Sequence, residues 1–364
     1  MSSTIFEQLH TLKDKYGNDY KDFDIVVNNE LKHLLYNRTC IYFSELLLKL
    51  DGIFPKDLYE LLKKNRQDKK IISTEDDFAN LEKNEGWHKF IEQLRLPPPH
   101  LVNYEWRYTE KSASIISNLL VNNDKTICCL GTPTIFLDLY SKNVKATLFD
   151  INAPLIERVR LGLGTDCYVY DVQTPLPDRF SHSFDTICLN PPWYTDYYKL
   201  FIERALFLLK RSGGELIFPL FPLFSRHNAC KDLSEIESYL SSLNYHSIES
   251  LGNIDFEMPE FEQIVLINNN IPIPKYNWRQ TELIKVTFNN IDFITNKLSI
   301  IEEREWIRYY DDISKNYYAI NKMKFKDFSF QVDESIILSE ISKKHIKTIS
   351  FDVWDNRNNI TTLK

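Results

Sequence analysis

Residues Leu189 to Tyr194 read L-N-P-P-W-Y and follow the apolar run F-D-T-I-C of Phe184 to Cys188. Neither proline can donate to a sheet, so the strand that the apolar run predicts must end here. The motif has the parts needed to work on an amine. The side-chain oxygen of Asn190 and the carbonyl oxygen of Pro191 can both accept N–H bonds, which draws the delocalised lone pair of an sp² amine outward. Pro191 and Pro192 fix the backbone that carries these acceptors, and Trp193 or Tyr194 offers a face for a planar or cationic partner. A strong base is not required, because the nitrogen can lose its proton after a group has been transferred to it. The competing reading makes Trp193 and Tyr194 core aromatics at a strand-ending turn.

Three further features fall at the ends of neighbouring apolar runs. C-L-G-T-P-T places Gly131 and Thr132 after the first run, where a glycine lets backbone approach a ligand closely. F-D-I-N places Asp150 nineteen residues after Gly131, with Asn152 in the same turn. That is the spacing at which an acid accepts both hydroxyls of a ribose. Y-D-V ends the next run, and Asp171 suits the amino group of an adenine. Upstream, Arg107 can pair bidentately with a carboxylate, and Thr109 can cap the helix that follows.

These residues need a frame to bring them together. Short apolar runs at Thr126 to Leu130, Ala146 to Phe149, Cys167 to Tyr170, Phe184 to Leu189, Glu215 to Pro219 and Gln263 to Ile267 predict strands. Amphipathic stretches, clearest at Tyr197 to Lys210 and Ser234 to Leu243, predict helices between them. Continuous apolar strands alternating with helices imply an α/β fold with a parallel, doubly wound sheet covered on both faces. In such a sheet ligands bind beyond the C-terminal strand ends, where all four features lie.

Ahead of this core, residues 1–95 read as helical, with Pro55 suited to the first turn of one helix. The basic run Lys63, Lys64, Arg66, Lys69 and Lys70 then leads into I-I-S, so three short helices and a strand pair suggest a winged-helix-like domain. Such a domain suits DNA contact, homodimerisation or closure over a substrate, but acids outnumber bases 17 to 15 over residues 1–100. Residues 96–124 begin with the stiff L-P-P-P-H and form a linker that covers the cofactor region. Residues 125–288 form the α/β domain, and 289–364 form an accessory region whose role the pattern does not show.

Across its 364 residues the chain is 43% hydrophobic, 26% charged and 13% aromatic, an ordinary globular composition apart from the aromatic excess. A net charge of −7 argues against holding nucleic acid by bulk electrostatics. The six cysteines include no C-x-x-C pair and the eight histidines no metal spacing, so no metal site is expected. No run approaches a membrane span and the N-terminus lacks a signal-peptide pattern, which predicts a cytoplasmic protein with no membrane partner.

The order of the strand-end residues resembles class I S-adenosylmethionine-binding transferases of the Rossmann-like type. N-P-P-W resembles the [Asp/Asn/Ser]-Pro-Pro-[Tyr/Phe/Trp] motif of enzymes that methylate amino nitrogens, the adenine amino-group methyltransferases among them. The resemblance implies S-adenosylmethionine as cofactor and an amine-bearing acceptor: a nucleobase, a small molecule, a protein side chain or a polyamine. The chain also resembles the branched-chain polyamine synthases, which are bis(aminopropyl)spermidine synthases. That likeness rests on Tyr108-Thr109-Glu110, the L-G after the first strand, F-D-I-N, Y-D-V-Q-T-P-L-P-D, F-D-T-I-C-L-N-P-P and P-K-Y-N-W-R-Q (Pro274 to Gln280). It implies aminopropyl transfer from decarboxylated S-adenosylmethionine. Two departures weigh against that outcome: the family's Gly-Asp-Asp-Asp run is Gly131-Thr132-Pro133-Thr134 here, and its Asp-Pro-Pro is Asn190-Pro191-Pro192. N-methyl transfer is therefore the leading expectation, with aminopropyl transfer and a non-catalytic S-adenosylmethionine-binding regulator as alternatives.

Overall fold

The computed structural model describes residues 4–36, 41–50, 52–65, 71–72, 93–121, 125–164, 166–271, 273–274, 277–291, 306–321, 336–337 and 352–361. Arg66, Lys69 and Lys70 of the basic run, and Lys275 and Tyr276 of P-K-Y-N-W-R-Q, lie outside them.

The N-terminal residues form α1 (Ile5–Tyr16), α2 (Phe23–Leu35), α3 (Phe43–Lys49) and α4 (Pro55–Lys64), with a parallel pair of β1 (Ile41–Tyr42) and β2 (Ile71–Ile72). Thr4 and Glu7 close a capping box on α1, and Pro55 opens α4, where its missing N–H costs nothing. The buried stripes of these helices share one apolar cluster with the central sheet. The Ile5 N–H donates to Glu282 across that contact at 2.7 Å.

The central domain runs α5 (Glu110–Leu120), β3 (Ile127–Leu130), α6 (Pro133–Ser141), β4 (Ala146–Asp150), α7 (Ala153–Leu163), β5 (Cys167–Val169), β6 (Thr186–Leu189), α8 (Thr195–Leu208), β7 (Gly214–Leu220), α9 (Ala229–Ser242), β8 (Ser247–Asp255), α10 (Glu260–Asn268) and β9 (Gln280–Phe288). Its seven strands lie in the order β5-β4-β3-β6-β7-β9-β8. The chain steps outward from β3 to β5 and then returns to the other side of β3 as β6, so the switch point lies between β3 and β6. Every residue of these two strands is buried, as a sheet covered by helices on both faces requires.

The sheet departs from the all-parallel expectation at one edge. Strands β5 to β7 are parallel, but β9 runs antiparallel between β7 and β8. The apolar run at Gln263 to Ile267 belongs to helix α10, which corrects the strand expected there. Pro259 stands in extended backbone just before this helix, and Glu260 and Glu262 occupy its first turn, where carboxylates meet the positive end of the helix dipole. Those signals decide between helix and strand where a short apolar run alone cannot.

The C-terminal residues form a second, antiparallel sheet in the order β10-β11-β13-β14-β12: β10 (Trp306–Asp311), β11 (Asn316–Asn321), β12 (Ile336–Ile337), β13 (Val353–Asp355) and β14 (Asn359–Thr361). It clamps the proline-rich linker. His100 is fully buried, with Nδ1 accepting from the Val102 N–H at 3.0 Å and Nε2 donating to the Trp354 carbonyl at 2.9 Å. Burial pushes its pKa down to about 3, so the ring stays neutral and its tautomer is set by the two bonds. No helix among the described residues is long and apolar enough to cross a membrane.

Candidate active site at the strand ends

The switch point delivers most of the predicted residues to one place. A cavity beyond β3, β4 and β6 is lined by Gly131, Thr132, Asp150, Asp171 and Asn190, and by Arg107. Gly131 sits at φ +68°, and a Cβ there would come within 3.3 Å of the Phe201 ring and 3.6 Å of the Asn190 carbonyl. Only glycine takes that backbone at no strain and leaves the space beside it open. Thr132 is buried, with its hydroxyl 3.4 Å from the Cys188 carbonyl.

Asp150 ends β4 with Oδ1 accepting from the Asn152 N–H at 2.8 Å. Asn152 in turn accepts from the Leu155 N–H, capping α7, and donates from Nδ2 to Glu105 at 3.0 Å. Asn152 is fully buried and outside the cavity wall, so its part is to bridge two carboxylates. Burial and, next, the Glu105 charge push Asp150 up to about 7, against the Asn152 N–H and the charges of Arg107 and Arg308.

Arg107 has partners already in place. Its guanidinium holds Glu105 through Nε at 2.8 Å and Nη2 at 2.7 Å, and Nη2 also donates to the Pro97 carbonyl at 2.6 Å. Thr109 caps α5, accepting from the Ser112 N–H, and lies outside the cavity wall.

Asp171 accepts from the Gln173 N–H at 2.9 Å, which fixes the turn after β5. That turn is tied to α8 by Arg204, which is fully buried and donates from Nε to the Val172 carbonyl at 2.9 Å. Arg204→Ala is expected to lower unfolding stability by about 2–4 kcal/mol, because it removes a buried charged donor and leaves a cavity. Denaturant titration checks it, and cofactor affinity should fall with it because Asp171 loses its support.

The N-P-P-W-Y motif stands between this cavity and a second one of about 390 Å³. Tyr104, Trp106, Asn190 and Pro192 line both. Asn190 donates from Nδ2 to the Trp106 carbonyl at 3.4 Å, and among the described residues no donor meets its Oδ1. The Tyr194 N–H closes a tight turn on the Pro192 carbonyl at 2.6 Å. Trp193 is not bare. Arg279 lies 4.9 Å from its ring centre and Phe256 meets it edge-on at 5.8 Å, so much of its surface is already covered. Tyr194 is likewise shared between Arg226, 5.1 Å from its centre, and Tyr104.

Glu105 and Arg308 are not singled out in the sequence, and Tyr108 enters only as part of Tyr108-Thr109-Glu110. Tyr108 lines the first cavity, has a buried hydroxyl with no partner and stacks on Phe256 at 4.7 Å. Arg308 reaches the same cavity from β10, held by Asn103 at 2.6 Å. Glu105 stood in a segment marked by Arg107, whereas nothing in the pattern around Arg308 signals its role.

Comparison with known proteins agrees with this frame. Residues 104–229 match the family described as probable N6-adenine methyltransferase. No curated protein matches the chain. Among solved structures, the chain is similar to the branched-chain polyamine synthase from Thermus thermophilus in complex with N4-aminopropylspermidine and 5'-methylthioadenosine. Identity is 14%, 77% of this chain and 91% of that one are covered, and the TM-score is 0.57. A mutein of the same synthase covers 82% and 96% at 12% identity, also with a TM-score of 0.57. At these identities the likeness is one of fold. The chain thus has a Rossmann-like transferase fold, within which residues 104–229 are methyltransferase-like.

Proposed function

We propose that the protein is an S-adenosylmethionine-dependent transferase that methylates an amine nitrogen. The observation that carries this reading is the meeting of two cavities at Asn190 and Pro192. One contains the residues suited to an adenosine, and the other opens on the face of N-P-P-W-Y away from it.

The donor set of the first cavity fits the cofactor. Asp150 suits the ribose hydroxyls, Asp171 suits the adenine amino group, and the missing side chain of Gly131 leaves room against the β3 end. When bound, S-adenosylmethionine would supply a methyl carbon on a sulfonium, which an amine nitrogen could take while the carbon–sulfur pair stays on sulfur and the alkylated nitrogen gives its proton up to solvent. Asn190 and Pro191 do the work on the acceptor side. The bond from Nδ2 to the Trp106 carbonyl orients the amide so that Oδ1 is left to accept from the amine, and the prolines keep both acceptors from turning away. Positioning of this kind accounts for most of the barrier reduction, up to about 7–11 kcal/mol in well-oriented reactions.

Aminopropyl transfer is the second reading, supported by the fold shared with the polyamine synthase structures. Against it, Gly131-Thr132-Pro133-Thr134 offers a polycation no carboxylate, and Asn190 is neutral. A non-catalytic regulator would not need the open Asn190 acceptor.

Calorimetric titration with S-adenosylmethionine and with its decarboxylated form, followed by labelled-methyl transfer onto amine pools, tests the reading. Tighter binding of the intact cofactor together with methyl transfer supports it. Preference for the decarboxylated form selects aminopropyl transfer, and binding of neither removes both.

A further inference from the structure

Among the described residues, eight buried side-chain polar atoms lack a hydrogen-bond partner, and four of them belong to the wall of the second cavity. They are Ser225 Oγ, Arg226 Nη2, Trp278 Nε1 and Arg279 Nε. Buried polar groups in folded proteins are nearly always paired, so four on one wall call for a ligand that pairs them.

Three of the four are pure donors. The arginines are built in rather than loosely placed. Arg226 donates from Nε to the Trp193 carbonyl at 2.8 Å, pairs through Nη1 with Asp232 at 2.5 Å and lies over Phe221 at 4.6 Å. Arg279 pairs with Glu262 and lies against Trp278, Trp106 and Trp193 at 4.8, 4.9 and 4.9 Å. Glu262 is 1% exposed, so its carboxylate stands behind Arg279 rather than in the cavity. On the facing helix α4, Lys56 and Glu60 engage each other at 3.9 Å and Asp57 completes the charged lining. Each guanidinium is thus held by a carboxylate through one nitrogen and has a second nitrogen whose N–H is unmatched, a donor that can bind an oxyanion. A polyamine, which presents only N–H donors along its length, matches none of the three.

We propose that the second cavity binds an oxyanion, so that the amine acceptor carries a phosphate or a carboxylate held by Arg226 and Arg279 while its nitrogen meets Asn190 and Pro191. The assignment of the cavity to the acceptor rests on the proposed methyl transfer, whereas the oxyanion site itself does not.

Three of the six tryptophans touch Arg279, so tryptophan fluorescence of the full chain reports on the wall. The protein is titrated with sodium phosphate, sodium acetate and spermidine at constant ionic strength. The expected result is a saturable change with one or both anions and none with spermidine. Saturation by phosphate alone identifies a phosphate-bearing acceptor, and saturation by acetate a carboxylate-bearing one. Arg226→Gln and Arg279→Lys should each weaken the anion affinity about tenfold or more, because each removes donors of a fixed fork. Arg279→Lys is chosen because it leaves Glu262 a cationic partner, and circular dichroism confirms that both variants fold. Absence of any anion response, a response to spermidine instead, or an anion response unchanged in both variants overturns the proposal. Titration of the same samples with S-adenosylmethionine separates the two readings. Cofactor binding without an anion response sinks only the oxyanion site, and an anion response without cofactor binding sinks only the methyltransferase.

Discussion

Asn190→Ala is expected to lower the rate of methyl transfer by about 10²- to 10³-fold, the usual cost of removing one preorganised hydrogen-bonding group at a reacting centre. Cofactor affinity should change little, because Asp150, Asp171 and Gly131 remain. The effect is large because the acceptor pair is small. Beside Asn190 Oδ1 the motif offers the Pro191 carbonyl, since the Pro192 carbonyl is taken by the Tyr194 N–H and the Trp193 carbonyl by Arg226. Asn190→Asp is a sharper probe than alanine. It keeps an acceptor of the same shape but removes the N–H that reaches the Trp106 carbonyl, setting a carboxylate against a carbonyl oxygen 3.4 Å from the native nitrogen. With an uncharged or anionic acceptor this variant should stay slow, whereas a polycationic acceptor would gain from the added charge. Labelled-methyl transfer at saturating cofactor, with calorimetry as the binding control, checks both substitutions.

Much of this site was legible because parallel strands bury both faces and so read as short continuous apolar runs. The runs ending at Leu130, Phe149 and Leu189 announced β3, β4 and β6, and the residues just beyond them are those the switch point gathers. The edge of the same sheet was not legible. Most of β8 is partly or fully exposed, so it carries no apolar run, and β9 was hidden because the apolar residues at Gln263 to Ile267 offered a rival strand that the chain folds as helix. Arg308 marks a different limit. It bonds to Asn103 across 205 positions of sequence, and only the docking of the C-terminal sheet on the buried His100 brings it to the cavity. Trp193 shows a third kind: the motif identified an aromatic at the site, but the covering of its ring by Arg279 depends on a residue 86 positions downstream, which no local pattern encodes.

Cofactor affinity is expected to rise with pH from about 6 to about 8 and then level, because Asp150 titrates in that range and its ionised form is the one that accepts both ribose hydroxyls. The sign follows from what the proton does. Below about 7 the carboxyl is largely protonated, with one oxygen turned donor, so a binding event that needs the carboxylate must first expel the proton. Binding should therefore release a proton near neutrality, which calorimetry in buffers of different ionisation enthalpy detects directly. Asp150→Asn should abolish both the pH dependence and the proton release and weaken the cofactor about 10- to 100-fold, the worth of a charge-assisted hydrogen bond. The same shift acts on folding in the opposite direction. A carboxyl raised above its unfolded value contributes stability that is present below about pH 4 and lost as pH rises through about 7, so Asp150→Asn should be relatively more stable above neutrality. Glu105→Gln separates the causes. Burial is the larger one and persists, while the Glu105 charge is removed, so the rise in cofactor affinity should move to lower pH without disappearing. A pH profile of affinity that is flat in the wild-type protein, or identical in Asp150→Asn, would show that Asp150 does not hold the cofactor.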